Sequence, residues 1–322
     1  MNTADDALAV YTRGLGRSYG DVEAVAGLDL TVAAGETFGF LGPNGAGKST
    51  TISMLCTLLR PTTGSAEVAG ADVAHQPETV RRRIGAVFQE STSDRDLTGE
   101  QNLRFHAELY GMPRERGRAA ARSVLDLMEL TDRAKAPVAT YSGGMRRRLE
   151  IARVLMHRPR VLFLDEPTTG LDPQSRARVW ESLNDLRRRE SICVFLTTHY
   201  LEEAEHCDRI AVVDHGRVVA EGTPGELKSA VGSDIVQLRT EDDEASAAAV
   251  RTRFALKATT GPDGVRVSAA DGAAMVPVLC AGLPARIRSV SVTRPSLDDV
   301  FLHHTGRSIR DAAGAPVGEG PT

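Results

Sequence analysis

Long apolar runs are missing from this chain. The longest, such as residues 161–164 and 192–196, fall far short of the ~20 residues a membrane span needs, which excludes a chain that crosses a bilayer on its own helices. An excess of basic residues is missing too. Lys and Arg number 39 against 43 Asp and Glu, a formal charge of -4 with a pI near 6.1, and nothing in that balance favours nucleic acid. Lysine is confined to Lys48, Lys135, Lys228 and Lys257, so arginine carries nearly all the positive charge, a bias of the kind a GC-rich genome imposes. The four cysteines, Cys56, Cys193, Cys207 and Cys280, show no paired spacing. That argues against zinc, a disulfide frame or a redox motif, and predicts reduced, mostly buried thiols of a cytosolic protein. The first ten residues are polar and acidic, so no signal peptide is expected. What is there is ordinary globular composition. With 322 residues, 41% hydrophobic and 25% charged, the chain has room for one large core and one small one, and two domains are expected.

Residues 42–50, Gly-Pro-Asn-Gly-Ala-Gly-Lys-Ser-Thr, read as a phosphate-binding loop. The apolar residues 37–41 before it are of strand type, and residues 51–59 place Ile52, Leu55, Leu58 and Leu59 at helical spacing. A strand therefore turns into a helix here. Gly42, Gly45 and Gly47 allow backbone conformations that a Cβ forbids, so successive N–H groups aim at an anion. Lys48 is expected to reach the β- and γ-phosphates and the Ser49 hydroxyl to ligate Mg²⁺, while the helix adds the positive end of its dipole. Residues 161–166, Val-Leu-Phe-Leu-Asp-Glu, are a buried-strand run ending in adjacent carboxylates. In a phosphate-loop protein the first, Asp165, holds the Mg²⁺ shell, and the second, Glu166, orients and polarises the attacking water. Residues 192–198 form the next strand. His199 stands just past its end, on the side where α/β sheets bind ligands, which favours a functional histidine.

Residues 8–19 and 24–32 alternate around Gly20-Asp21 as an antiparallel pair ahead of the loop. Tyr19 at its edge either stacks on an adenine ring or covers the sheet. Residues 84–89 read as a strand ending on the polar Gln89. The pattern then turns helical: Thr98-Gly99-Glu100-Gln101 has capping-box spacing, and Pro113 opens a second helix over residues 114–130. Ser142-Gly143-Gly144 begins another helix, with Met145, Leu149, Ala152 and Met156 on one face. Its two bare glycines leave amides uncovered, a second anion site without a lysine, although a plain capped helix start has the same look. Arg146, Arg147 and Arg148 read as a solvated face with one or two interfacial members. These patterns predict an α/β domain over residues 8–228 with a helical insert at about 90–141. Residues 233–306 follow as strand, helix, strand, strand, helix, strand, a split βαβ sandwich, with Ser296 capping a last short helix. His303 and His304 are adjacent, point apart and join no carboxylates, so no metal site is read there. Residues 307–322, rich in Gly, Pro and Ala, are expected to be a disordered tail.

Taken together, these motifs resemble the ATP-binding subunits of ATP-binding-cassette (ABC) transporters over about residues 8–222. Gly42, Pro43, Asn44, Gly45, Ala46, Gly47, Lys48, Ser49 and Thr50 match the Walker A loop, Gln89 the Q-loop, and residues 141–146 the signature. Residues 161–165 match Walker B, Leu171-Asp172 the D-loop, His199 the switch histidine, and Tyr19 the adenine-stacking aromatic. The signature departs from the commonest Leu-Ser-Gly-Gly-Gln at both ends but keeps Ser142, Gly143 and Gly144. The resemblance implies an α/β P-loop NTPase cassette with a RecA-like core, an antiparallel β subdomain and a helical subdomain, followed by a small α+β domain. It also implies hydrolysis of ATP with Mg²⁺ held by Ser49, Gln89 and Asp165, and with Gln89, Glu166 and His199 catalytic. Two cassettes would face head to tail as a homodimer, each ATP lying between one Walker A loop and the other copy's Ser142, Gly143 and Gly144, with Asp172 beside them.

Three further stretches, Tyr-Ser-Gly-Gly-Met-Arg-Arg-Arg-Leu, Thr-Thr-His-Tyr-Leu-Glu-Glu-Ala-Glu and Pro-Ser-Leu-Asp-Asp-Val-Phe-Leu, are similar to the daunorubicin/doxorubicin-resistance ATP-binding proteins over nearly the whole chain. That implies an exporter subunit at the cytoplasmic side of the cell membrane, with a separate permease that makes most of the contact with the drug. A soluble cassette ATPase of repair, translation or cofactor assembly would share the nucleotide motifs. Repair members carry long coiled-coil insertions, however, and translation members usually two cassettes. A regulatory module that binds ATP without hydrolysing it fits poorly with the presence of both Glu166 and His199.

Overall fold

The computed structural model describes residues 8–261, 264–306 and 309. They form two compact units, one up to Glu221 and one from Gly222. The first opens with two long strands, β1 (Leu8–Tyr19) and β2 (Val22–Ala33), joined by the turn at Gly20-Asp21. They pair antiparallel, and alternation sends Leu28, Leu30 and Val32 inward while Asp29 and Thr31 face out. β3 (Thr37–Leu41), buried along its whole length, leads through the loop into α1 (Lys48–Leu55). The chain returns to the first sheet as β4 (Thr63–Val68) and β5 (Ala71–Asp72), completing the order β2-β1-β4-β5. α2 (Pro77–Arg83) starts on a proline, which the first helical turn tolerates because the N–H that proline lacks would have no partner there, and hands over to β6 (Ile84–Val87).

The helical insert follows. α3 (Gly99–Leu109) begins with the expected capping box, Thr98 and Gln101 each bonding the other's backbone N–H. α4 (Arg114–Leu127) buries Ala121, Val124 and Leu125, and α5 (Gly143–Leu155) is capped by Ser142. Then come β7 (Val161–Asp165), α6 (Pro173–Arg189), β8 (Cys193–Thr198), the short α7 (Leu201–Ala204), β9 (Arg209–Asp214) and β10 (Arg217–Gly222). Six strands make the central sheet in the order β10-β9-β3-β8-β7-β6. β9, β3, β8, β7 and β6 are parallel to one another. A parallel sheet is covered on both faces, which is why β3, β7 and β8 read as unbroken apolar runs without alternation. Phe195 sits fully buried with its ring 5.4 Å from that of Phe38 and 5.5 Å from that of Phe163. Its truncation to alanine costs roughly 3–5 kcal/mol. Register pairs Leu41 with Thr198 and Asp165 with Thr197, so three adjacent strands end side by side. That shared edge is where such sheets bind ligands.

In the second unit α8 (Pro224–Val231) is capped by Thr223 and Glu226. It groups with this unit, although the sequence pattern puts residues 224–228 in the first domain. β11 (Asp234–Thr240), α9 (Asp243–Arg253), β12 (Lys257–Gly261), β13 (Gly264–Ala269), α10 (Gly272–Gly282), β14 (Ile287–Thr293) and α11 (Leu297–Thr305) follow. The sheet order β12-β13-β11-β14, antiparallel throughout, is that of a split βαβ sandwich. Val236, Leu238, Ala247, Val250, Val265, Val267 and Leu279 fill its small core. Apart from Ile309, the expected tail over 307–322 lies outside the described residues, as do the first seven residues, on which part of the signal-peptide expectation rests. Among the described residues no helix is long and apolar enough to cross a membrane. The cysteines are free, three buried and Cys280 exposed.

Candidate functional site

The loop after β3 is built on close backbone approach. Gly42 donates its N–H to Thr198 O at 3.1 Å, and a Cβ on it would collide with the Val213 carbonyl oxygen. Its glycine therefore serves space, Gly45 serves conformation with φ of 81°, and Gly47 serves both, with φ of 93° and the Ala24 carbonyl oxygen where a Cβ would sit. Gly47 is also the N-cap of α1, and no side chain caps that helix. The first four amides of a helix have no partner within it, so the positive end of α1 is open to an anion. Ala46 is buried and holds Gly216 N–H through its carbonyl, while Asn44 is exposed and Thr50 half-buried. Lys48 is buried although charged. Its Nζ donates to Gly42 O at 2.7 Å and Pro43 O at 2.9 Å, and lies 3.5 Å from Glu166 Oε1. Burial pulls its pKa down, against the opposing pull of Glu166 and Asp165.

The two carboxylates at the end of β7 are divided in role by geometry. Asp165 Oδ1 accepts from Thr197 Oγ1 at 2.5 Å and from Ser49 Oγ at 3.3 Å, which puts a carboxylate and a hydroxyl together beside the loop. Glu166 stands at φ 46°, a left-handed conformation that costs a non-glycine residue on the order of 1–3 kcal/mol. Its N–H donates to Thr197 Oγ1 at 3.1 Å and Thr197 O at 3.2 Å. One carboxylate oxygen accepts from Thr169 Oγ1 at 3.1 Å, and the other lies 3.1 Å from His199 Nδ1. The histidine nitrogen is within reach of the carboxylate but off the line of an ideal hydrogen bond. Burial raises the Glu166 pKa, but His199, Lys48 and Thr169 outweigh it and hold the group down to about 2. Glu166 is thus ionised at neutral pH and can only accept protons. Among the described residues no three His, Cys, Asp or Glu side chains are placed to hold a metal. Mg²⁺ requires no such cage, since it keeps water and phosphate oxygens and takes one or two protein ligands.

A second group forms elsewhere in the same unit. Ser142 Oγ accepts from Met145 N–H at 3.2 Å, so the plain helix cap is present. Gly144 leaves room for α6, a Cβ on it lying 2.7 Å from Ser175 Cβ, and one on Gly143 would touch Leu171 at 3.2 Å. Asp172 caps α6 by accepting from Ser175 N–H at 2.9 Å, and its bonds to Ser175 hold its carboxyl low. The signature glycines and the D-loop therefore pack together. Tyr141, where the commonest signature has Leu, is buried and donates to Arg133 O at 2.8 Å. Gln89 is exposed two residues past β6. Tyr19 is 45% exposed at the end of β1, with the Arg17 guanidinium 4.7 Å from its ring centroid.

Of the three arginines read as a solvated face with one or two interfacial members, Arg147 and Arg148 are more than interfacial. Both are buried, while Arg146 is half-buried and donates to Tyr141 O at 2.6 Å. Sequence reasoning also passed over Thr197 and Thr169, which hold the two carboxylates. A signal was present, since paired hydroxyls at the end of a buried strand need partners as much as adjacent acids do.

The ABC transporter family matches residues 25–169, and the C-terminal domain of DrrA1-3-like ATP-binding proteins matches residues 222–305. Daunorubicin/doxorubicin resistance ATP-binding protein DrrA of Streptomyces peucetius is 46% identical, covering 97% of this chain and 96% of that protein. Nod factor export ATP-binding protein I of Burkholderia lata is 39% identical, covering 93% and 97%. Among solved structures, cbiO1 from Clostridium perfringens, part of the ABC transporter complex cbiONQ, has a TM-score of 0.65 at 28% identity, covering 69% of this chain and 90% of that one. With both units matched and the nucleotide loop, carboxylates and histidine converging as an ATP-hydrolysing cassette needs, the chain belongs to the ATP-binding proteins of ABC transporters, in the group that includes the DrrA resistance ATPases.

Proposed function

We propose that this ATPase powers export of an antibiotic of the anthracycline kind, acting as a pair of cassettes on the cytoplasmic face of the membrane with a separate permease. The chemistry rests on the cluster of Lys48, Glu166 and His199 beside the open start of α1. Lys48 and the α1 amides bind the β- and γ-phosphates. Ser49 and Asp165, together with Gln89, would hold Mg²⁺, which when bound neutralises phosphate charge and fixes its geometry. Glu166 orients a water molecule and accepts its proton as the water oxygen bonds to the γ-phosphorus and the bond to ADP breaks. In the present arrangement Lys48 lies 3.5 Å from Glu166 and helps to depress its pKa. Drawing the ammonium onto a phosphate weakens that hold and raises the proton affinity of Glu166 when it is required. His199 steadies the carboxylate, and Tyr19 stacks on adenine with the ring face opposite Arg17.

Ser142, Gly143 and Gly144, with Asp172 beside them, complete the site from the other copy. The support for this is that they offer a second helix start with no lysine of their own. ATP then holds the pair together, and closure favours one permease conformation by the few kcal/mol needed to shift its population. The choice of cargo rests on the DrrA likeness across both units. The Nod factor export relative favours the one alternative, a cassette of the same build serving a different cargo.

The test is co-expression with the cognate permease in a drug-sensitive host, following retention of fluorescent anthracyclines and a panel of other antibiotics. Wild type should lower retention and Lys48→Ala should not. Equal retention across the panel would remove the drug reading and leave a lipid, polysaccharide or peptide.

A further inference from the structure

We infer that Arg147 is a positioning residue for Glu166, fixing from the signature helix the backbone on both sides of it. Arg147 is 7% exposed, and its guanidinium spreads its donors over three backbone carbonyls. Nε donates to Pro167 O at 2.8 Å and Nη2 to Asp165 O at 3.0 Å, so the residues bonded are those before and after Glu166. Nη1 donates to Phe88 O at 2.5 Å, one residue ahead of Gln89, and lies 3.3 Å from Glu150 Oε2. A buried cation is costly unless its geometry is well satisfied, and here the planar fork is used on every arm.

The location of these bonds gives them consequence. A non-glycine residue stays left-handed only where its surroundings over-determine it. Thr197 holds the Glu166 N–H, and Arg147 holds the flanking carbonyls. Relaxation of φ from 46° would swing the carboxylate away from Lys48 and His199. The same helix also grips the segment after Gln89. Glu150 Oε1 accepts from Thr92 N–H at 3.0 Å, and Arg153 donates to Thr92 O at 2.9 Å. A displacement of α5 therefore reaches both Glu166 and the segment after Gln89. Through Arg147, the position of the signature helix sets whether its own copy is aligned for hydrolysis. This rests on the reading of Glu166 as the group that polarises water.

The experiment compares wild type, Arg147→Lys, Arg147→Gln and Glu166→Gln in the full chain with its membrane subunit, measuring kcat, KM, nucleotide affinity and melting temperature. Arg147→Lys keeps the charge but not the fork. Its kcat should fall about tenfold to a hundredfold, the penalty of a misplaced reacting group, with KM and nucleotide Kd within about twofold of wild type. The double variant Arg147→Lys/Glu166→Gln should be slower than Glu166→Gln by no more than about twofold, because both changes remove one function. Wild-type turnover by Arg147→Lys, or a fully additive loss in the double variant, would overturn the inference. Arg147→Gln removes the buried charge and guards against misfolding. If both Arg147 variants melt early and lose affinity as much as kcat, or neither folds, Arg147 is a packing residue and the inference falls. Normal turnover by Glu166→Gln would instead sink the reading of Glu166, and is recognisable as such.

Discussion

The phosphate loop and the signature helix start, the two halves of the proposed nucleotide site, differ in what each supplies within one chain. Around Lys48 the ammonium and the Glu166 carboxylate are buried and paired at 3.5 Å, and His199 Nδ1 lies 3.1 Å from the same carboxylate, where parallel strands end beside the start of α1. Around Ser142 the serine is exposed, and its glycines pack against Leu171 of the D-loop and Ser175 of α6. The first half carries its own counter-charge for a phosphate, and the second offers amides and a dipole with no lysine of its own. Binding and chemistry should thus fail when the first half is damaged, whereas damage to the second should spare binding by a single chain.

The largest effect is expected from Lys48→Ala. It removes the main counter-charge for the phosphates, and nucleotide binding itself should be lost in an equilibrium titration. Retained affinity would mean that the amides of α1 suffice. Next in size, Glu166→Gln should keep affinity and cut hydrolysis about a hundredfold or more, leaving an ATP-bound dimer that size-exclusion chromatography with Mg²⁺ and ATP would resolve.

A smaller effect concerns pH. Because the Glu166 pKa is lowered to about 2, its ionised form stabilises the fold. That contribution is complete above the unfolded value near about 4.5 and is lost as pH falls toward about 2. The melting-temperature gap between wild type and Glu166→Gln should therefore narrow between about pH 5 and pH 3. A gap constant across that range would show that charge does not hold Glu166. The smallest effect is expected from ending the chain at Thr223, ahead of α8. Every residue proposed to handle phosphate precedes that point, so ATP affinity should stay within about threefold by nucleotide titration. A folded truncation that fails to bind would overturn this division of labour.

What was legible in the sequence was local. Residues 42–50 are contiguous, their glycines and lysine adjoin a strand and a helix, and Asp165 and Glu166 close an unbroken apolar run. Such signals need no knowledge of which strands are neighbours. Thr197 was not legible as a carboxylate partner, because its bonds to Glu166 and Asp165 span 31 and 32 positions and exist only once β7 lies in register with β8. Which of the three arginines turns inward is not legible for a similar reason: the carbonyl that Arg147 reaches at Phe88 is 59 positions away, and an arginine between two others looks like surface until the strand ends are packed against it. Helix α8 has a local signal for its start at Thr223, but its membership of the second unit is decided by packing.

The central proposal, a site divided between two copies, is tested most directly by mixing Lys48→Ala with Ser142→Arg and measuring association and turnover in Mg²⁺ and ATP. Lys48→Ala alone should not bind nucleotide, and Ser142→Arg alone should bind it as a monomer without pairing. Mixed, the intact loop of one variant meets the intact signature of the other, and one working site should return, seen as an ATP-dependent dimer that neither variant forms. A mixture that behaves as the sum of its parts, or a Ser142→Arg chain that has lost ATP binding by itself, would contradict the head-to-tail pair.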